Sequence, residues 1–185
     1  GNNAGHTVIN EEGTFSLHLV PSGVFRPTVS CLIGNGVVVD PNVLTEELAG
    51  LRSRDIDTSK VFLSERAHLI MPYHTLLDDL EETSRGAKAL GTTGKGVGPA
   101  YVDKTARLGI RAGELLDKEA LLPRLRHAIE VKNSLLTKVY NHKPISLDEV
   151  YEQCILWGEQ LKDILKPTEI LLNNALDRGE QVLLE

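Results

Sequence analysis

Short, mainly apolar runs separated by turn residues constrain the fold of this chain more than any other feature of its sequence. They occupy residues 29–33, 37–39, 61–63 and 69–71. Continuous apolar runs of this length are typical of strands that are buried on both faces of a sheet. Residues 14–20 differ, because their polar and apolar side chains alternate as in a half-buried strand.

Helical patterns occupy most of the remaining sequence. Asp40-Pro41 predicts an N-cap followed by proline at the first helical position, in a helix that runs to about residue 54. A second helix is predicted over residues 73–90. Asp117 is expected to cap a short turn, and later helices are predicted to begin at Pro123, Ser146 and Pro167 and to end, for the last two, near residues 165 and 179. This mixture of elements indicates an α/β fold.

Residues 91–113 differ in character, being rich in Gly, Thr, Lys and Arg without a helical period. We predict a long loop there that is mobile until a ligand binds. The sequence then divides into a sheet-forming part over residues 1–113, a helical subdomain over 114–180 and a returning strand at 181–185. Neither end carries the usual signals of a domain boundary, so we expect an internal piece of a longer protein.

Composition excludes some functions. The net charge of -6 argues against a general nucleic-acid binder, because no excess of Lys and Arg is available to neutralise phosphates. No apolar run is long enough to span a membrane. Cys31 and Cys154 show no metal-ligand spacing, and we expect two reduced, buried thiols in a cytoplasmic protein. With 41% hydrophobic and 4% aromatic residues, the core must consist mainly of Leu, Val and Ile.

Three segments have side chains or backbone suited to phosphate. In Asn3-Ala4-Gly5-His6-Thr7, small residues let backbone N–H groups approach a ligand, and His6 can donate a proton. The alternative is a hydrogen-bonded structural histidine in a tight turn. In the segment 91–101, Thr92 and Thr93 lie between glycines, but the alternative is a flexible surface loop.

Neither familiar phosphate loop is present in that second segment. A P-loop needs Ser or Thr after Gly-Lys, whereas Lys95 is followed by Gly96. A dinucleotide fingerprint should follow a strand, whereas this segment follows a predicted helix. The third segment, residues 103–111, holds Lys104, Arg107 and Arg111, and its alternative is a solvated charged stretch. Taken together, the three segments predict binding of an anionic, phosphorylated small molecule.

Four ordered strings carry a resemblance to a known family. They are Asn-Ala-Gly-His-Thr at 3–7, Gly-Asn-Gly-Val-Val at 34–38, Gly-Thr-Thr-Gly-Lys-Gly-Val-Gly-Pro-Ala-Tyr at 91–101 and Asp-Lys-x-x-Arg-x-Gly-Ile-Arg at 103–111. Together they resemble adenylosuccinate synthetase over all 185 residues. The resemblance implies part of a large, mostly parallel sheet with surrounding helices, plus the helical subdomain. It also implies a homodimer that ligates IMP and L-aspartate with GTP and Mg²⁺.

The resemblance assigns roles to individual residues. His6 would be the general acid, and the Gly5 carbonyl would be a magnesium ligand. Gly5, His6 and Thr7 would contact the GTP phosphates. IMP would contact Asn3, Ala4, Gly5, His6, Thr93 and Arg107, the last of these from the partner subunit. Lys104 and Arg111 would support the same phosphate or the fold.

The sequence lacks other family motifs. It does not contain Gly-Asp-Glu-Gly-Lys-Gly-Lys, the phosphate loop that includes the catalytic aspartate, nor the Asn-Lys-x-Asp motif that binds guanine, nor the arginine loop that holds aspartate. Asn2 stands where some family members have His. The function expected of the whole protein is GTP-dependent synthesis of adenylosuccinate. The alternative for this chain is an inert module that binds a phosphorylated ligand or dimerises.

Overall fold

The computed structural model describes residues 1–185. The strands are β1 His6–Asn10, β2 Gly13–Leu17, β3 Cys31–Ile33, β4 Val38–Val39, β5 Val61–Ser64, β6 His68–Leu69 and β7 Leu165–Lys166. The helices are α1 Pro41–Arg52, α2 Pro72–Arg85, α3 Val97–Ala106, α4 Lys118–Lys138, α5 Leu147–Leu161 and α6 Thr168–Asp177. Short 3-10 helices cover Ser22–Phe25, Gly86–Lys88 and Ala112–Leu116.

Parallel strands form the centre of the molecule, as an α/β fold requires. Strand β5 lies between β3 and β7 in a parallel sheet, and β4 pairs with β6, also in parallel. Strands β1 and β2 form a separate antiparallel hairpin. The predicted fold class is therefore confirmed.

Of the two strands in the β1–β2 hairpin, only β2 was predicted from the sequence. Its tight turn is held by Asn10, whose side-chain oxygen accepts from the N–H groups of Glu12 and Gly13 at 3.0 and 3.1 Å. The predicted strand over residues 14–20 ends at Leu17. Beyond it the N–H groups of residues 18–20 donate to the Glu47 carboxylate rather than to a neighbouring strand.

Helix α1 follows the prediction closely. The Asp40 carboxylate accepts from the N–H groups of Asn42 and Val43, and Pro41 stands at the first helical position. Helix α2 is shorter than predicted. It ends at Arg85 because Gly86 adopts a positive φ of 52°, and the chain continues as a 3-10 turn.

The predicted loop over 91–113 is partly wrong. Its middle is helix α3, which begins after Gly96 at a φ of 72°. Because α3 buries only Ala100 and Asp103, its sequence shows no apolar period. The end of the segment forms part of the 3-10 helix Ala112–Leu116.

Three predicted boundaries in the last third need correction. Pro123 lies inside α4, whose N-cap is Asp117, rather than starting a new helix. Helix α5 ends at Leu161 because Leu165 instead pairs with Leu63 as the start of β7. No strand is assigned to residues 181–185, where a returning strand was predicted, because no other strand of the chain lies beside that segment.

One hydrophobic cluster of 31 buried residues joins the sheet, α1, α4 and α5. Trp157 is fully buried in it, and its indole N–H donates to the Asn42 side chain at 2.8 Å. Cys31 and Cys154 are buried and unpaired as predicted. Burial raises the pKa of these thiols to about 11 and about 12, respectively. None of the helices has the length and apolar character needed to cross a membrane.

Candidate active site

The turn at residues 1–5 packs against the centre of the molecule. A Cβ at Gly1 would lie 3.2 Å from a methyl carbon of Val97 and 3.3 Å from the Val38 carbonyl oxygen. Asn2 is buried, and its Nδ2 donates to Asp40 Oδ2 at 3.1 Å, while its Oδ1 has no partner. Since Asp40 caps α1, this hydrogen bond ties the turn to the start of that helix.

Residues 3–7 form an exposed edge of the molecule. They are the predicted site residues Asn3, Ala4, Gly5, His6 and Thr7. His6 is the first residue of β1, with its side chain exposed to solvent. Gly5 lies so close to His18 that a Cβ would be 3.0 Å from Nε2 of that ring. The edge is therefore open to a ligand, and the close approach at Gly5 favours a residue without a side chain.

Helix α2 holds the loop that carries Thr93. The Glu82 carboxylate accepts hydrogen bonds from the N–H groups of residues 90–92 at 2.8 to 3.4 Å. At the other end of the loop, Asp78 Oδ2 accepts from the Gly96 N–H at 2.9 Å. The hydrogen bonds from these amides, chiefly that of Leu90, lower the pKa of Glu82. Two carboxylates of one helix thus fix both ends of the loop.

The exposed edge and the Thr93 loop are neighbours, although about ninety residues separate them in sequence. Val97, which directly follows the loop, is the residue that Gly1 approaches. Burial raises the pKa of Asp40, and the nearby positive charge of Lys95 opposes that rise. Thr93 itself is exposed. Both phosphate-competent segments therefore lie around the start of α1.

A buried polar network holds α3 against α2 and α4. The Asp103 carboxylate accepts from the Lys132 ammonium and lies 2.9 Å from His74 Nε2. His74 Nδ1 accepts from the Met71 N–H at 2.9 Å, so we assign the ring proton to Nε2, which donates to Asp103. Burial alone would raise the pKa of Asp103, but hydrogen bonds from His74 and Lys132 bring it below its usual value.

Arg107 lies at the far end of α3 from Thr93. The Asp103 carbonyl oxygen accepts from the N–H groups of Leu108 and Gly109, which closes the turn in which Arg107 adopts a φ of 61°. A ten-residue helix is about 15 Å long. Thr93 and Arg107 of one chain therefore lie at different parts of its surface, and the structure does not bring them together.

Arg107 lines a cavity of about 430 Å³ that contains no hydrophobic residue. The cavity is bordered by Lys104, Arg107, Arg111 and Arg124, together with His68 and Glu114. Its members come from β6, the end of α3, the turn after it and α4. Lys104, Arg107 and Arg111 were predicted from the sequence, whereas His68 and Arg124 were not, because nothing in their own sequence neighbourhoods indicates a ligand.

The predicted magnesium position can be tested against the geometry. Gly5 is exposed and offers a backbone carbonyl oxygen. No group of three or more His, Cys, Asp or Glu side chains is arranged to hold a metal ion. The Gly5 carbonyl oxygen is a hard oxygen donor of the kind that Mg²⁺ takes, together with phosphate and water oxygens, beside nucleotides.

Comparison with known proteins gives a single family. A family model described as adenylosuccinate synthetase matches residues 1–185. Adenylosuccinate synthetase from Dehalococcoides mccartyi strain 195 is 54% identical over all 185 residues, and that of Saccharopolyspora erythraea is 50% identical over 186 aligned positions. In both cases the chain spans 44% of the relative's length.

Two solved structures match the fold of this chain. The fully ligated adenylosuccinate synthetase of Plasmodium falciparum matches 100% of this chain with a TM-score of 0.86 at 28% identity, and 43% of that protein is covered. A cyanophage S-2L succinoaminodeoxyadenylate synthetase bound to dGMP and dATP matches 71% of the chain with a TM-score of 0.50 at 25% identity, and 37% of that protein is covered.

Proposed function

Because this chain belongs to the adenylosuccinate synthetase family along its whole length, we propose that it supplies part of the active site that ligates IMP and L-aspartate. The products would be adenylosuccinate, GDP and phosphate, with GTP as the co-substrate. One observation carries the proposal: Gly1 approaches Val97, Asn2 donates to Asp40, and Lys95 lies near Asp40, so the segments that precede the exposed edge and include the Thr93 loop are both close to the start of α1. The phosphorylated base and the transferred phosphoryl group would bind beside these two segments.

The reaction proceeds in two displacements. A carboxylate removes the N1 proton of IMP, its 6-oxygen attacks the γ-phosphorus of GTP, and the bond to GDP breaks. The aspartate amine then attacks C6, and the C6–O bond breaks to release phosphate. Such a reaction depends on positioning and on stabilising charge as it develops.

His6 is the proposed general acid. Its exposed position at the start of β1 leaves the imidazole free to meet a ligand beside the small residues 3–5. There it donates a hydrogen bond to the phosphoryl group as GDP leaves. The base that removes the N1 proton belongs to a family motif that is absent from these 185 residues.

The residues 3–7 also fit the phosphates of GTP. The Gly5 carbonyl oxygen would be a ligand of Mg²⁺, which when bound neutralises phosphate charge. Gly5 offers backbone groups with no side chain above them, His6 and Thr7 add an imidazole and a hydroxyl, and Asn3 and Ala4 would border IMP. Asn2 holds this edge in place through its bond to Asp40.

Thr93 and Arg107 would serve IMP bound in different subunits of a homodimer. Thr93 would donate its hydroxyl to the IMP phosphate of its own chain, on a loop held by Glu82 and Asp78. Arg107, about one helix length away, would reach the IMP phosphate of the neighbouring subunit. The separation of the two residues along α3 supports this division of roles.

A chimera tests the proposed function. The matching 44% of the Dehalococcoides mccartyi enzyme would be replaced by this chain, and adenylosuccinate formation from IMP, GTP and aspartate would be measured. We expect activity within about tenfold of the parent, since half the residues are shared and a tenfold change corresponds to a small barrier difference. A folded chimera without activity would contradict the proposal.

Substitution within the chimera tests the role of His6. His6→Asn should reduce turnover by about 100-fold or more while leaving IMP affinity nearly unchanged, because a general acid contributes that much to the chemical step. His127→Asn, on an exposed histidine of α4, is the matched control. Unchanged turnover in the His6 variant would exclude the general-acid role.

A second candidate function applies to the 185-residue chain by itself. It would bind a phosphorylated ligand or dimerise without catalysis, and the cationic cavity favours this reading. We expect no detectable adenylosuccinate from the chain alone, since the base of the family motif is absent. Turnover by the purified chain would refute this.

A further inference from the structure

Helix α3 has little apolar contact with the rest of the chain. Of its ten residues only Ala100 and Asp103 are buried. Ala100 packs in a small cluster with Val38 and Ile70, against which Val97 is partly buried. The stabilisation from burial scales with the apolar area removed from water, so this small cluster fixes the helix only weakly. The position of α3 therefore depends largely on polar contacts.

The Asp103 side chain is the polar group of α3 that reaches two other helices at once. It is almost fully buried, accepts from the Lys132 ammonium on α4, and accepts from His74 Nε2 on α2 at 2.9 Å. His74 is itself fixed, because its Nδ1 accepts from the Met71 N–H at 2.9 Å. Moving the carboxylate would leave a buried charge without a partner, which is costly. Asp103 thus attaches the C-terminal half of α3 to both neighbouring helices.

The backbone of the same residue shapes the turn that carries Arg107. The Asp103 carbonyl oxygen accepts from the Leu108 N–H at 2.9 Å and from the Gly109 N–H at 3.1 Å. Arg107 lies in this turn with a left-handed φ of 61°, which residues with a side chain rarely adopt without such support. The direction of the exposed arginine is therefore set by a residue that the buried network holds in place.

The other end of α3 is held by separate contacts. The Gly96 N–H donates to Asp78 Oδ2 at 2.9 Å, and a Cβ on Gly96 would lie 2.7 Å from the Thr75 backbone nitrogen. Neither contact involves the buried ion pair. Loss of that pair should therefore move the arginine end of α3 more than the end beside the Thr93 loop.

We propose that Asp103, held by Lys132 and His74, is a positioning residue that sets the affinity of the neighbouring subunit for IMP. The inference rests on the proposed function, in which Arg107 reaches the IMP phosphate of the other subunit. The three buried residues would touch no substrate and would act only through the turn that presents the arginine. A displacement of about 1 Å is enough to weaken such a contact, because a charge-assisted hydrogen bond depends on distance and angle.

Mixed dimers of the chimera separate an effect on the neighbouring site from an effect on a subunit's own site. In the first mixed dimer, one subunit carries both Lys132→Met and His6→Asn, and its partner is unchanged. The working site then belongs to the unchanged subunit and receives Arg107 from the altered one. Its KM for IMP should rise about tenfold with kcat nearly unchanged, because a contact to the phosphate, remote from the reacting atoms, contributes to binding.

In the second mixed dimer, Lys132→Met and His6→Asn are carried by different subunits. The working site then lies in the Lys132→Met subunit and receives Arg107 from a subunit whose network is intact. Its KM for IMP should equal that of a dimer with only His6→Asn in one subunit. Lys138→Met, on an exposed lysine of the same helix, is the matched control and should change neither dimer.

A double variant separates positioning from stability. Asp103→Asn with Lys132→Met leaves no uncompensated buried charge, so it should be more stable to urea than Lys132→Met alone. It still lacks the ion pair between α3 and α4, so the KM of the neighbouring site should stay raised about tenfold. A KM that returns to the parental value together with the stability would show that the network has only a structural role.

Hydrogen exchange of the chimera tests the geometry without catalysis. In the double variant the protection factors of the Leu108 and Gly109 amides should fall about tenfold, because the turn opens more readily when α3 is released from α4. The Leu63 amide, which donates to the Ile164 carbonyl in the central sheet, reports global stability and should change less. Equal changes at all three amides would contradict local positioning.

Arg107→Leu, placed in the same mixed dimers, distinguishes failure of this inference from failure of the proposed function. If Arg107→Leu raises the KM of the neighbouring site and neither network variant does, the shared site stands and the positioning role is overturned. An equal rise in the second mixed dimer would also overturn it. Calorimetric binding of IMP to the homodimeric double variant, expected to be about tenfold weaker than to the parent, requires no turnover and decides the matter for an inactive chimera as well.

Discussion

Replacing Lys132 by Met should reveal what the buried network contributes to the stability of the chain. Lys132 is more than nine-tenths buried, and its ammonium donates to Asp103, whose side chain is almost fully buried. Met keeps most of the volume but leaves the Asp103 charge with only the neutral His74 as a donor. Removing one partner of a buried ion pair costs about 3–5 kcal/mol, because an uncompensated charge remains in a medium of low polarity.

Urea unfolding, followed by circular dichroism, measures this cost. With an m-value of about 2 kcal/mol/M, the midpoint should fall by about 1.5–2.5 M. Lys138→Met is the matched control, since Lys138 lies exposed on the same helix, and it should change the free energy of unfolding by less than about 0.5 kcal/mol.

The pH dependence gives a second, more specific readout. In the native chain the pKa of Asp103 is below its usual value, so its stabilisation is present above the unfolded pKa and is lost as pH falls through the folded pKa. In Lys132→Met the unpaired carboxyl should have a raised pKa instead. The difference between the two proteins should therefore be largest near pH 7 and shrink towards pH 4.

A double variant distinguishes charge from packing. Asp103→Asn with Lys132→Met removes both charges while an amide oxygen still accepts from His74, so the loss should be smaller than in Lys132→Met alone. The reasoning is refuted if Lys132→Met costs less than about 1 kcal/mol, or if its cost is the same at pH 4 and pH 7.

Three further predictions address backbone fit, the Thr93 loop and the dimer. Gly158→Ala in α5 should destabilise the chain by about 1–3 kcal/mol, because its Cβ would meet the Leu115 carbonyl at 2.7 Å; Gly50→Ala in α1, with nothing within 4 Å, should stabilise it by about 0.5–1 kcal/mol in the same thermal melts. Glu82→Gln should lower the protection factors of the amides at residues 90–92 near pH 7, and in the native chain the same protection factors should fall once Glu82 is protonated below its lowered pKa; protection unchanged by the substitution would show that this carboxylate does not hold the loop. In the chimera, Arg107→Leu should weaken IMP binding, and mixed dimers with His6→Asn subunits should recover one working site, with no recovery counting against a shared site.

The sequence is most informative where local chemistry decides the structure. Asp40-Pro41 predicted the start of α1 because both the capping carboxylate and the proline act within four residues. Helix α3 was missed because its buried face consists of Ala100 and Asp103, which produce no apolar period. The buried ion pair of Lys132 was also not predicted, because a lysine in an amphipathic helix usually lies in solvent and its partner Asp103 is 29 residues away.

The candidate site was likewise predicted from the sequence only in part. The strings around His6, Thr93 and Arg107 carried the family resemblance, and in the structure Gly1 approaches Val97 while Lys95 lies near Asp40, so the chain before the first string and the second string are both close to the start of α1. The cavity around Arg111 was not predictable, because its members lie on four separate elements and only folding joins them. The carboxylate of Glu82 was likewise unremarkable in sequence, since its partners are backbone groups.

Lengthening or shortening helix α3 would cost conformational free energy, because the residues that flank it, Gly96 and Arg107, both adopt the left-handed conformation. Thr93 and Arg107 therefore lie just beyond the two ends of a rigid rod, and residues 94–96 join Thr93 to it. In the proposed dimer each such rod would have one end in its own active site and the other in its neighbour's. Because Asp103 fixes α3 against α2 and α4, we expect Arg107 to be presented to the other subunit at the same position whether or not the Thr93 loop of its own chain is occupied.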